Sequence, residues 1–173
     1  MLGLGRLYDL GTLVAPVDLA TAGITGKRIS MTNCQGVDIV LFYGAGNAAD
    51  NPVPSLQQHT AYTGGTSANL AVIDTFYTKN ETLLDNDEPW VKRTQTAATI
   101  ITGVTGHGAT EKIYVFHVTS ASLSDGYTHI SVNQADPGAN SQLVAGLYIK
   151  VGLQDQRTPA ALPNLLAPGL ANA

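Results

Sequence analysis

From Lys27 onward, short segments of the chain alternate with a period of two. Such alternation predicts half-buried strands, because successive side chains on a strand point to opposite faces. KRISMTN (27–33) sets Ile29 and Met31 against Ser30 and Thr32, and VDIVLFY (37–43) puts Val37, Ile39, Leu41 and Tyr43 on one face. NCQG (33–36) between them reads as a turn, which predicts a hairpin over 27–43. GAGNAADNPVP reads as a loop, and SLQQHTAYTGGT (55–66) is ambiguous and ends in a Gly64-Gly65 break. NLAVIDTFYTKN is rich in β-branched and aromatic residues and reads as a strand. After the acidic loop ETLLDNDEP, WVKRTQTAATIITG is a strand pair or one bent strand, and GVTGHGA is a turn. EKIYVFHVTSASL is the most regular segment, with Ile113, Val115 and His117 opposite Tyr114, Phe116 and Val118. GYTHISVNQ sets Thr128, Ile130 and Val132 opposite Tyr127, His129 and Ser131, and QLVAGLYIKVGL closes the domain. Roughly seven or eight short strands without a long amphipathic helix or internal repeat predict an all-β fold, a sandwich or barrel. Periodicity alone does not separate a jelly roll from an immunoglobulin-like sandwich.

The two ends break the pattern. Residues 1–25 mix small apolar residues with Gly and Pro, and neither period holds. They read as an extended N-terminal arm, with room for one helical turn near PVDLATA because Pro16 suits a first helical position. Residues 26–157 then form a single β-sandwich domain. Residues 158–173 form a tail without one charged side chain, broken by Pro159, Pro163 and Pro168. Its leucines have neither strand nor helix spacing, so it reads as an extended arm buried by another surface.

Composition sharpens this picture. Charged residues are 13% of the chain, about half the usual ~25%, while apolar residues are an ordinary 44%. Low charge is a property of interface cores, and also of all-β proteins with uncharged polar faces. The net charge is −4 and the nine Lys and Arg are scattered, so the basic stripe that nucleic acid requires is absent. No apolar run approaches the ~20 residues of a membrane helix, and MLGLGRLYDLG does not read as a signal peptide. Neither nucleic acid nor membrane is an expected partner. The single Cys34 fits a reducing compartment or particle assembly in a cytoplasm.

Candidate chemistry is sparse. His117 and His129 lie on consecutive predicted strands, and with Glu111 or Asp125 they would suit a jelly-roll metal site. A cupin-type site needs a close His-x-His pair, and none occurs. His107 reads as a turn-tip residue, and His59 has no evident partner. Asp85, Asn86, Asp87 and Glu88 cluster oxygen ligands without EF-hand spacing, so a solvated turn is the simpler reading. There is no Gly-x-Ser-x-Gly elbow, no phosphate-binding glycine motif and no histidine near Cys34 in sequence. The chain therefore reads as a non-enzyme with no catalytic residues, metal or other cofactor.

GRLYDLGTLVAPVDLATAGITGKRISMTN (5–33), VDIVLFYGAG (37–46), QQHTAYTGGTSANLAVIDTFYTKNETLLDNDEPWVKRTQTAA (57–98), SLSDGYTHISVNQADPG and RTPAALPNLLAPGLANA are spread along nearly the whole chain. Together they resemble tailed-bacteriophage capsid decoration (cement) and minor capsid proteins. The resemblance implies a jelly-roll-like β-sandwich, commonly a homotrimer, on the capsid surface of a virion assembled in the host cytoplasm. It implies a structural role, bridging neighbouring capsomers of the major capsid protein. The contacts expected on this reading are Leu4, Leu7, Tyr8, Leu10, Leu13 and Val14 in the arm, and Leu162, Leu165, Leu166 and Leu170 in the tail. The alternative is a carbohydrate-binding head-fibre or tail sandwich with Trp90, Tyr62 and Tyr127 as its platform. Aromatics at 6% of the chain count against that alternative.

Overall fold

The computed structural model describes residue 4 and residues 7–20, 22–102 and 104–154. Among them are eleven strands: β1 (Tyr8–Asp18), β2 (Ile24–Thr25), β3 (Ile29–Ser30), β4 (Gly36–Tyr43), β5 (Pro54–His59), β6 (Ser67–Asn69), β7 (Ile73–Glu81), β8 (Val91–Ala98), β9 (Glu111–Thr119), β10 (His129–Gln134) and β11 (Leu143–Val151). One sheet has the order β1-β11-β4-β9-β7-β8. The other has the order β2-β10-β5-β6, with β3 also paired to β10. The fold is an all-β sandwich of two antiparallel sheets.

The pairings nest. β1 pairs β11, β2 pairs β10, β4 pairs β9 and β5 pairs β6, each antiparallel. A long hairpin rolled into two sheets produces this pattern, which is the jelly-roll arrangement. The β7–β8 hairpin is added beyond β9 and widens the first sheet.

The core lies between the sheets. Val37, Ile39, Leu41 and Tyr43 of β4 are fully buried, as their alternation predicts, and Tyr114, Phe116 and Val118 of β9 meet them from the next strand. Each buried Val, Leu or Ile contributes roughly 1.5–3 kcal/mol relative to exposure. Buried tyrosine hydroxyls tie the layers together. Tyr148 Oη donates to Lys27 O at 2.9 Å and accepts from Val132 N at 3.1 Å, and Tyr43 Oη donates to Gln134 Oε1 at 3.2 Å.

Two expectations are corrected. Residues 27–43 are not a hairpin, because β3 pairs β10 in the second sheet while β4 lies in the first. The chain crosses between the layers at residues 31–35. Met31 and Cys34 are buried in that passage, where the single hydroxyl of Ser120 lies within donating distance of the carbonyls of Met31 (3.0 Å) and Cys34 (2.8 Å). Nor are residues 8–18 an arm outside the sandwich. They form β1, the edge strand beside β11, with Leu13 fully buried in the core. Register shifts between Thr12 and Val14 and between Val14 and Val17 interrupt the alternation that would have announced the strand. Pro16 sits inside the second irregularity, where a missing N–H costs least. The chain continues as strand through Asp18 and then turns, so PVDLATA contains no helix among its described residues.

Candidate functional surface

The sequence positions that β4, β9 and β11 do not send into the core are themselves mostly apolar. They face outward from the six-stranded sheet. Across it, Thr12, Leu147, Val40, Val115 and Tyr77 stand in one cross-strand row. A second row holds Leu10, Ile149, Asp38 and His117, and a third holds Ala145, Phe42 and Ile113. Leu147 is 47% exposed, Phe42 44%, and Leu10 and Tyr77 41% each, so solvent reaches the centre of this face as well as its margins. Monomeric proteins seldom leave adjacent apolar rows uncovered, and large exposed apolar patches mark interaction sites.

The predicted arm contacts divide between two environments. Tyr8 and Leu10 stand on the outer face, and Leu7 beside them is exposed. Leu13 belongs to the molecule's own core, and half-buried Val14 packs against that core. Both are corrected from contacts with a neighbour, because the irregularity of β1 between Thr12 and Val14 lets these two consecutive residues turn inward together. Leu4 makes an isolated bridge with Tyr8. Leu162, Leu165, Leu166 and Leu170 lie outside the described residues.

A shallow cavity of about 370 Å³ opens on the same face, lined by Asp38, Val72, Asp74, Tyr77, Val115 and His117 among others. His117 Nδ1 lies 2.6 Å from Asp38 Oδ1. The other ring nitrogen lies over Gly36, where an added Cβ would fall 2.5 Å from it. The imidazole is thus held between a carboxylate and the backbone.

His117 and His129 do not meet, because β9 and β10 belong to different sheets. His129 instead stands opposite His59. His59 is buried, its Nδ1 2.7 Å from Ser67 Oγ and its Nε2 2.8 Å from Ser131 Oγ. These hydroxyls supply the partners that the sequence did not name. His107 is also buried rather than a turn tip. Its Nδ1 is 3.3 Å from Tyr114 Oη, and its Nε2 is 3.3 Å from an Arg93 nitrogen.

Burial holds both imidazoles down to about 4, helped at His59 by the Arg28 charge and at His107 by Arg93. An unfolded chain takes up these protons near pH 6.5. Between pH 6.5 and 4 the unfolded state therefore binds protons that the folded state refuses, and stability falls as pH falls. The urea midpoint is expected to drop between pH 7 and pH 5, and the drop to shrink in a His59→Asn, His107→Asn variant. An equal drop in both proteins would assign the pH dependence to other groups.

In the loop after β7, ligand oxygens of Glu81, Asp85, Asp87 and Glu88 lie within 4.8 Å of one another. The buried Glu88 already organises this loop. Its Oε1 accepts from Asp85 N (2.5 Å) and Asn86 N (3.3 Å), and its Oε2 lies 3.8 Å from Lys79 Nζ. Internal satisfaction of a turn accounts for this arrangement. Trp90 packs its ring against Lys79, whereas Tyr62 packs against His129 on the other sheet. The aromatic candidates are therefore spread over two separate sites.

Lys112 was not singled out by the sequence. It is fully buried on the Tyr114 face of β9, and its Nζ donates to the carbonyls of His107 (2.5 Å), Thr110 (2.8 Å), Gly108 (3.1 Å) and Gly44 (3.4 Å). The signal was parity: Lys112 is two residues before Tyr114, so it shares the inward face.

Comparison with protein-family models, with curated proteins and with solved structures found no match to this chain.

Proposed function

We propose that this protein is a structural, non-enzymatic virion component that decorates and stabilises a phage capsid by bridging neighbouring capsomers. Its partners on this reading are the major capsid protein and further copies of itself in a homo-oligomer, with a trimer the expected order. The observation that carries the reading is the exposed apolar outer face of the six-stranded sheet. A protein whose task is to lock onto other protein needs such a face and needs no reaction centre. The low charge of the chain supports this, and so does the resemblance of its segments to capsid decoration proteins. Jelly rolls serve capsids, lectins and cupins alike, so topology alone does not choose among them.

The test is co-sedimentation with undecorated phage heads. A Phe42→Asp, Leu147→Asp variant is expected to bind at least tenfold more weakly than the unaltered chain, with its far-UV circular dichroism unchanged. Decoration at unchanged affinity would refute the proposal.

One observation favours a second reading, carbohydrate binding. The smaller sheet carries a row of amides, Asn133, Gln57 and Asn69, and the exposed Tyr62 packs on His129 of the same sheet. These amides already bond one another, Asn133 Nδ2 to Gln57 Oε1 at 2.9 Å and Gln57 Nε2 to Asn69 Oδ1 at 3.3 Å. A glycan array without signal would remove this reading.

A further inference from the structure

We infer that the outer face of the six-stranded sheet is the seat of residues 158–173 from a second copy of this chain. The inference rests on reading that face as an interaction surface, but not on the partner in the virion being a capsid protein.

The face and the segment match in chemistry. Leu10, Phe42, Leu147 and Ile149 form an apolar surface across β1, β4 and β11. Residues 158–173 bring Leu162, Leu165, Leu166 and Leu170 and no charge. The last charged residue before them is Arg157, and the face offers Asp74 and the His117-bonded Asp38 at the cavity. Prolines at 159, 163 and 168 lack N–H donors, so the segment is a poor added strand for the free edge of β1. Packing leucines onto a face does not need those donors. The prolines also restrict the free segment, which lowers the entropy lost on docking.

Length is sufficient. Sixteen extended residues reach about 50 Å, whereas six strands measure about 24 Å across.

The way the chain leaves the fold points to a second copy. Gly152 turns the backbone with φ +60° at the end of β11. Gln35 N then donates to the carbonyls of Val151 (3.0 Å) and Gly152 (3.1 Å), and Gln154 N donates to Asn33 O at 3.1 Å. Leu153 packs against the core. These contacts carry the chain over the end of the sandwich, toward the crossing between the sheets and off the outer face. The described chain thus ends, at Gln154, beside Asn33 at the end of the sandwich and off the outer face, which favours a seat on another copy over one on the same sheet. Head-to-tail contacts of this kind close into rings when the rotation between copies allows it.

The test uses the full-length chain and two variants, with circular dichroism as the check on folding. One variant alters the segment (Leu162→Asp, Leu166→Asp), and the other alters the face (Phe42→Asp, Leu147→Asp). Light scattering is expected to give an oligomer for the unaltered chain and a monomer for each variant alone. An equimolar mixture of the two variants at high concentration is expected to double that mass, because one intact segment then meets one intact face. A monomeric unaltered chain would overturn the inference. So would a face variant that dissociates while the segment variant does not, since that result describes sheet-on-sheet pairing. Absence of rescue in the mixture would overturn it as well. Failure of the unaltered chain to bind undecorated heads, with rescue intact, would leave this inference standing and remove only the capsid reading.

Discussion

Lys112→Ala is expected to destabilise the protein by roughly 4 kcal/mol, from a lost donor and a new cavity acting together. The ammonium is fully buried against four carbonyls. Two of these have other donors: Gly108 O accepts from Gly46 N, and His107 O accepts from Thr110 Oγ1. Among the described residues Gly44 O and Thr110 O have no other donor, and as both are only part-buried, water recovers some of the about 1–3 kcal/mol that an orphaned buried carbonyl costs. Truncating the long stem adds the penalty of unfilled volume. Lys112→Met restores most of that volume and none of the donors, so its stability is expected between those of Lys112→Ala and the unaltered protein. Thermal unfolding checks the order. At 2–4 °C per kcal/mol for a chain of this size, the alanine variant should melt about 10 °C lower. A methionine variant melting with the unaltered protein would show that the carbonyls do not need the ammonium.

Burial also lowers the Lys112 ammonium to about 8, against an ordinary 10.5. Between those values the unfolded chain holds a proton that the folded protein has released, so this group adds stability as pH rises from 8. The buried hydroxyls of Tyr43, Tyr114 and Tyr148, all pushed upward by desolvation, oppose it once unfolded tyrosines begin to ionise near pH 10.

Leu13→Ala is expected to cost a further-reaching 3–4 kcal/mol, within the ~2–5 kcal/mol that large-to-small core changes produce. Leu13 is fully buried although it lies in the segment that reads as an arm. Glycines leave room for it: a Cβ at Gly146 would fall 3.0 Å from Leu13 Cδ2, and one at Gly26 3.2 Å from the same atom. Its neighbours are therefore backbone that collapses poorly around a cavity. Urea unfolding at pH 7 measures the loss. An arm docked on another copy would make the substitution neutral in the isolated protein, and a shift below about 0.5 kcal/mol would return residues 8–18 to that role.

Legibility followed local regularity. β4 and β9 run straight through the centre of the first sheet, so their inward residues alternate without interruption and read directly as Val37 to Tyr43 and Tyr114 to Val118. β1 has two irregularities and one proline in eleven residues, and its period is lost although its pairing with β11 spans the whole strand. β3 is two residues long, too short for a period to declare itself. The outer face was half visible. VDIVLFY is apolar on both faces, with Val40 and Phe42 between the inward residues. A strand of that kind is ordinarily covered on both sides. Whether a second layer of the same molecule covers it depends on where the other strands go.

Composition and period determined that the chain is all-β and which side chains turn inward on its regular strands, because both are properties of neighbouring residues. Tertiary structure alone decided that β3 and β4 part company, that β1 completes the core, that His129 faces His59 instead of His117, and that one broad apolar face is left to solvent. Each of these is a choice of partner between distant segments. Period-two alternation says that a strand has an inside; it does not say which strand lies beside it.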